Sequence, residues 1–154
     1  MKCIRFTTLL YIASVIPKRK NIPSDAETIP LLGHSMQAIA LPKNGTITYE
    51  LEIENDGDYE LTTELIPTHP TDSGDLRFSI GIDGATPEIF SLKEPFRSER
   101  WKTNVLCGQT NRQITRHLSK GLHSLVFKAL DEHIVVDRVR FCIFSNDNDN
   151  FTPQ

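Results

Sequence analysis

Arg97, Glu99, Arg100 and Lys102 crowd around Trp101, the only tryptophan of the chain. These residue types suit recognition more than bond breaking. An indole offers a broad apolar face for stacking or burial, and two guanidinium groups can each grip a carboxylate through paired hydrogen bonds. Three readings of Trp101 follow. It can plug one end of the fold, with Arg97 and Arg100 paired to loop acids. It can form a platform on which a sugar ring stacks while polar neighbours fix the hydroxyls. It can anchor a protein interface, where Trp and Arg concentrate. The large burial area of an indole favours the plug.

Groups able to cleave a bond are scattered. Glycoside hydrolysis needs two carboxyl groups facing each other across the bond. Asp75, Asp83, Glu94, Glu99, Asp131 and Asp137 are available, but six loose acids in 154 residues is a background count. Asp83 reads as a turn residue before Gly84. Asp137 falls on an apolar strand face, where a carboxylate must be hydrogen-bonded or ion-paired, and Arg77 or Arg100 is its expected partner. No nucleophile elbow, phosphate loop or dinucleotide fingerprint occurs. The histidines His34, His69, His117, His123 and His133 show no helical i, i+4 pair and each has a surface or loop explanation. Cys3, Cys107 and Cys142 lack metal-ligand or redox spacing. Cys107 and Cys142 read as two buried free thiols, with a bridge between them open if their strands meet. The residues thus assign no catalytic group, no metal ligands and no cofactor.

Size and charge set the frame. A chain of 154 residues, 38% hydrophobic and 24% charged, makes one soluble globular domain with a real core. Its formal net charge of −3 supplies no basic surface for nucleic acid. Lys2 and Arg5 precede an apolar stretch from Phe6 to Ile16, a weak signal-like shape without a clean cleavage site. That stretch is too short to span a bilayer, so no membrane partner is expected.

The elements that must position the Trp101 run are strands. Residues 17–34 hold Pro17, Pro23, Pro30 and Gly33 and read as an extended approach. Ser35 to Leu41 is a first apolar run, and Asn44-Gly45 turns it into the clearest strand. There Ile47, Tyr49, Leu51 and Ile53 alternate with polar residues, one face buried and one solvated. Tyr59 to Ile66 repeats the alternation, and Pro67 to Asp75 is a loop. Leu76 to Asp83 puts Phe78, Ile80 and Ile82 on one side, and Asp83-Gly84 turns to a return strand over Glu88 to Leu92. The Trp101 loop follows, with one helical turn around Ser98 to Leu106. Asn111 to Leu118 is the next strand. Leu125, Phe127 and Ala129 share a face of the one after it. Val135, Val139, Phe141 and Ile143 form the apolar set of the last, interrupted by Asp137. Seven or eight short strands with turns every 8–12 residues or so specify an all-β fold, a two-layer antiparallel β-sandwich of jelly-roll type with one long loop around Trp101. The chain divides into an N-terminal extension over 1–27, a sandwich over 28–145 and a polar tail over 146–154.

Several ordered motifs carry a family resemblance. They are Gly33-His-Ser-Met-Gln-Ala-Ile-Ala-Leu-Pro42, Ile66-Pro-Thr-His-Pro70, Gly74-Asp-Leu-Arg-Phe78, Ile82-Asp-Gly84 and Ser91-Leu-Lys-Glu-Pro-Phe-Arg-Ser-Glu-Arg-Trp-Lys102. Asn104-Val-Leu106, Gly121-Leu-His-Ser-Leu125, Lys128-Ala-Leu-Asp131 and Ile134-Val-Val-Asp137 follow in order. Over residues 28–144 the chain resembles the C-terminal domain of glycoside hydrolase family 115. Members of that family are multidomain α-glucuronidases that remove glucuronic acid or its 4-O-methyl ether from xylan side chains in secreted or periplasmic systems. The resemblance implies a β-sandwich whose catalytic acids lie in an upstream barrel that this sequence does not resemble. Cys107 stands where the family pattern has a basic residue, Arg138 and Arg140 give the last strand a basic edge, and residues 1–20 do not match.

The implied role is that of a non-catalytic accessory module. It would dock on the catalytic domain of an α-glucuronidase or on a second copy of itself, or bind glucuronoxylan. Arg97, Glu99, Arg100, Trp101 and Lys102 are the candidate ligand or interface residues. The alternative is a small stand-alone glycoside hydrolase or lectin acting on uronic-acid-bearing polysaccharide.

Overall fold

The computed structural model describes residues 14–15, 18–70 and 74–143. The signal-like reading of the first residues and the tail at 146–154 lie outside them. Among the described residues there are eleven strands: β1 (Ser14–Val15), β2 (Lys18–Lys20), β3 (Glu27–Pro30), β4 (Gln37–Leu41), β5 (Thr46–Ile53), β6 (Gly57–Leu65), β7 (Arg77–Ile82), β8 (Glu88–Ser91), β9 (Thr110–Leu118), β10 (Gly121–Ala129) and β11 (Ile134–Ile143). A single helix, α1 (Glu99–Cys107), sits between β8 and β9. One sheet runs β3-β4-β11-β6-β9, with β1 also paired to β11, and the other runs β2-β5-β10-β7-β8. All pairings are antiparallel. This is the expected two-layer sandwich.

The alternation in β5 does what the sequence implies. Ile47, Tyr49, Leu51 and Ile53 are all buried, while Glu52 and Glu54 are exposed. β10 answers with Leu125, Phe127 and Ala129, aligned opposite Tyr49 and Ile47 on one side and Ile82, Ile80 and Phe78 on the other. Phe90, Phe78 and Phe127 stack across three neighbouring strands at centroid distances of 5.3 and 4.9 Å, a geometry that adds to their burial. Leu61, Leu65, Val136, Val139 and Phe141 close the core from the opposite sheet.

Two departures have physical causes. The proline-bearing approach contains the edge strands β2 and β3, each paired on one side only. Proline is tolerated there because an edge strand leaves half its N–H groups unpaired. The last strand does not keep one parity. Ile134 and Val136 face the core, the register against β6 shifts between Val136 and Arg138, and Val139 and Phe141 then face the core. A bulge inserts one residue and moves the later side chains to the other face. Asp137 is that residue. Val135 therefore does not join the buried set, and Asp137 does not interrupt it.

Neither expected arginine pairs with Asp137. Arg77 grips Asp131 (2.9 and 3.1 Å) and Arg100 grips Glu94 (3.0 Å). The Asp137 carboxylate accepts the backbone N–H groups of His34 (2.7 Å) and Ser35 (3.0 Å), and its carbonyl accepts from Arg19 and the Ser35 hydroxyl. The basic edge of β11 is neutralised too, because buried Glu64 lies between Arg138 and Arg140. Cys142 is a half-buried free thiol whose pKa burial pushes up. Cys107 is not free, so the reading of two free thiols fails at Cys107, and the two do not bridge.

His123 ties the β7–β8 hairpin to β10. Its Nδ1–H donates to Asp83 (2.5 Å) and its Nε2–H donates to the Ser119 carbonyl (2.6 Å). Both partners are acceptors, so the ring is fully satisfied only as imidazolium. The Asp83 hydrogen bond, helped by Ser119 and opposed by burial, raises the His123 pKa. Burial works against ionised Asp83, but hydrogen bonds from His123 and the Ser124 N–H outweigh it and lower its pKa. A raised histidine stabilises below its unfolded value near 6.5 and loses that contribution as pH climbs through its folded value; a lowered carboxylate stabilises above about 3.9. The pair is thus strongest between about pH 4 and 6.5. His123→Ala is expected to cost under about 1 kcal/mol there, since Asp83 is half-exposed and screened. Thermal melts of both proteins at pH 6 and pH 9 check this: the difference in Tm shrinks at the higher pH.

Candidate functional site

One end of the sandwich gathers the loops that follow β6, β8 and β10. The loop after β8 carries α1, which holds Trp101. Ser98 caps its N-terminus and accepts from the Trp101 N–H (3.2 Å). Glu99 sits in the first turn, where the helix dipole favours an anion. Gly108, at φ 63°, closes the other end, and the Gly108 and Gln109 N–H groups return to the Val105 and Asn104 carbonyls. No residue of α1 is buried. A nine-residue helix without a buried face depends on its caps. Ser98→Ala is expected to cost about 1 kcal/mol of helix stability, and to broaden the Trp101 indole resonance in NMR spectra as the helix frays.

Trp101 is half-buried and stays outside the core cluster. It packs edge-on against Phe96 (5.1 Å between centroids) and tilted against His69 (5.8 Å). These rings wall an open cleft of about 590 Å³ whose floor and sides include Pro67, Thr68, Pro70, Leu76, Leu92, Pro95, Asn104 and Thr110. The volume is that of a small-ligand cleft, and its walls are mostly apolar with a few polar groups. Lys93, Glu94 and Ser91 supply the polar side.

The other residues singled out in the sequence surround this cleft without lining it. Arg97 lies over the Phe96 ring, 5.2 Å from its centroid. Arg100 is held by Glu94, which also meets Arg112 at 3.4 Å. Lys102 pairs with Glu99 on the surface of α1 (2.7 Å). The charged run thus buttresses the aromatic wall. Phe96, Lys93 and His69 do line it, and sequence reasoning passed them over. Phe96 and Lys93 stood inside the same run, and His69 between two prolines, so composition alone separated none of them from its neighbours.

A second hollow of about 620 Å³ adjoins the first. Lys43, Gly74, Asp75, Arg77, Asp131 and Glu132 line it, and Lys93 lines both. The Asp75 carboxylate accepts from the Ser91 hydroxyl (2.8 Å), so the two hollows share a wall.

The six acids weighed as catalysts all have structural partners. Glu94, Glu99, Asp131 and Asp137 are engaged as described above. The Leu76 N–H and the Ser91 hydroxyl lower the Asp75 pKa, and the Arg77 guanidinium lowers that of Asp131. A general acid needs its pKa raised toward neutrality, and Asp75, Asp83 and Asp131 are shifted the other way. His34, Glu64 and Asp137 bring ligand-type atoms within 4.8 Å of one another. Their carboxylates already accept from two arginines and two backbone N–H groups.

The sequence matches the family model described as glycosyl hydrolase family 115 C-terminal domain over residues 23–141. Among solved structures the chain is similar to a family GH115 4-O-methyl-α-glucuronidase with specificity for decorated arabinogalactans. Identity is 31% and the TM-score 0.71, with 85% of this chain covered and 18% of that one. This chain therefore spans less than a fifth of that protein. It is also similar to a family 35 carbohydrate binding module from Clostridium thermocellum (15% identity, TM-score 0.60, covering 84% and 97%) and to a CBM35 from Cellvibrio japonicus (10%, 0.62, 86% and 95%). At those identities the likeness is one of fold. No curated protein matches the sequence significantly.

Proposed function

The chain belongs to the glycosyl hydrolase family 115 C-terminal domain family, and on that premise we propose that it is a non-catalytic module that holds carbohydrate in the Trp101 cleft. One observation carries this reading. Trp101, Phe96 and His69 present ring surface to an open cleft with a lysine at its edge. The apolar C–H face of a sugar stacks on such rings while polar groups at the rim take its hydroxyls. The engagement of every candidate acid supports the absence of catalysis. The family context supports work outside the cell or in the periplasm beside an α-glucuronidase catalytic domain, and no helix among the described residues is long and apolar enough to cross a membrane.

The test uses the indole itself. Soluble oligosaccharides from glucuronoxylan and from arabinogalactan are titrated while Trp101 emission is followed, with released uronic acid and reducing ends assayed in parallel. A saturable emission change without turnover supports the module. No change across both sets, or release of sugar, overturns it.

A second reading has its own observation. On α1, Leu106 is 69% exposed and Val105 47% exposed. Exposed apolar surface on a helix with no buried side chain suits docking on the catalytic domain or on a second copy. Self-association in sedimentation that Leu106→Ala removes would support it.

A further inference from the structure

We propose that Arg112 is the positioning residue of the Trp101 wall: from β9 it clamps the end of β8 and, through Glu94 and Arg100, fixes how α1 presents the indole to the cleft. This rests on reading the cleft as a carbohydrate site and names what holds that site in shape. Arg112 aligns with Thr63 across the β6–β9 pair, and Ile114 with Leu61. Thr63 and Leu61 are fully buried, so the Arg112 side chain leaves β9 on the face turned to the other sheet. There its Nε and Nη2 donate to the carbonyl of Ser91, the last residue of β8 (3.2 and 2.7 Å). Nη2 also meets the Glu94 carboxylate (3.4 Å), and Nη1 donates to the Asn111 carbonyl (2.7 Å). One planar fork thus serves a backbone carbonyl and a carboxylate together.

The segment held in this way is the wall itself. Ser91 through Phe96 line the cleft without a break. Glu94 passes the hold on to Arg100 (3.0 Å), the neighbour of Trp101 on α1. Burial, then the Arg100 charge, weighs against the Arg112 cation, and Glu94 works for it. The carboxylate is therefore the anion that two guanidinium groups share. Neither guanidinium lines the cleft, so each acts on a ligand through the wall. α1 has no buried residue to seat it, which leaves its placement to contacts of this kind. A wall set in advance costs less to order when a ligand arrives.

Acrylamide quenching of Trp101 in the unliganded chain reads the wall. Calorimetry with soluble glucuronoxylan and arabinogalactan oligosaccharides reads the site. Arg112→Met, Arg100→Met and the double variant are compared with the unaltered protein. Arg116→Met is the control, because Arg116 also links β9 to β8, through Glu88, and neither of those residues lines the cleft. Each single variant is expected to quench more steeply and to bind about tenfold weaker, since a loosened wall must be ordered on binding. The double variant should do no worse than either single one, because the two groups act in one series. Arg116→Met should match the unaltered protein in both readouts. A Trp101 as shielded in Arg112→Met as in the unaltered protein, or losses that add in the double variant, overturns the proposal. If Arg112→Met does not fold, Arg112→Lys decides. Its ammonium keeps the charge and loses the fork, so unaltered quenching there overturns the proposal too. An unaltered protein that binds no oligosaccharide overturns the carbohydrate reading, and quenching alone then decides the role of Arg112.

Discussion

Asp137→Ala lowers the stability of the sandwich by about 2–4 kcal/mol, because two backbone donors lose their only acceptor. The His34 and Ser35 N–H groups point at the Asp137 carboxylate from the turn before β4, and nothing else in that turn replaces it. At this chain length the loss corresponds to a fall in Tm of roughly 5–15 °C. Asp137→Asn retains an amide oxygen and loses less. The same contact explains Gly33. Its φ is +78°, and a Cβ placed there would lie 2.4 Å from the Asp137 Oδ1, so Gly33→Ala strains the backbone and evicts the carboxylate together. The two substitutions share one cause. Their combined cost is expected to fall short of the sum of the separate costs, as it does for residues in contact. An Asp137→Ala protein that melts with the unaltered one would show that the bulge is not held by this carboxylate.

Trp101→Ala weakens binding of cleft ligands at least about 30-fold, the loss of a hot-spot aromatic worth 2 kcal/mol or more. Its effect on folding is expected to be small. Trp101 lies outside the core cluster and α1 contributes no buried residue. Calorimetry is the readout, since the variant has no indole left to follow. Trp101→Phe keeps a ring and should fall between. Leu106→Ala, on the exposed side of the same helix, should leave sugar affinity unchanged. A Trp101→Ala protein that binds as before would move the site elsewhere, and one that fails to fold would return Trp101 to the role of a plug.

The fold was legible wherever one face of a strand meets water. In β5 the alternation of Ile47, Tyr49, Leu51 and Ile53 with glutamates and threonines fixes parity residue by residue. β11 is harder, because a single inserted residue reverses parity and leaves no mark in composition. Asp137 looked like a flaw in an apolar face and is the bulge itself. The short strands β2 and β3 were hidden by prolines, which forbid a central strand but not an edge. At the site, the run around Trp101 stood out because charge and aromaticity coincide there. Which of its members face the cleft depends on how α1 is capped and on where Glu94 directs Arg100. The cap contact spans 3 residues, and Arg100 and Arg112 converge on Glu94 across 6 and 18; spacing alone does not reveal them. Lys43 reaches the second hollow from the β4–β5 turn, about 50 residues before Lys93, and only the folded chain brings the two lysines together there.

The most direct test is a map of amide and indole NMR shifts during titration with a singly glucuronidated xylo-oligosaccharide. The expected result is a single indole N–H that moves to saturation, with amide shifts confined to residues 67–70, 91–104 and Thr110. Shifts centred on either outer sheet face with the indole unmoved, or a spectrum that does not change, would contradict a carbohydrate site at Trp101.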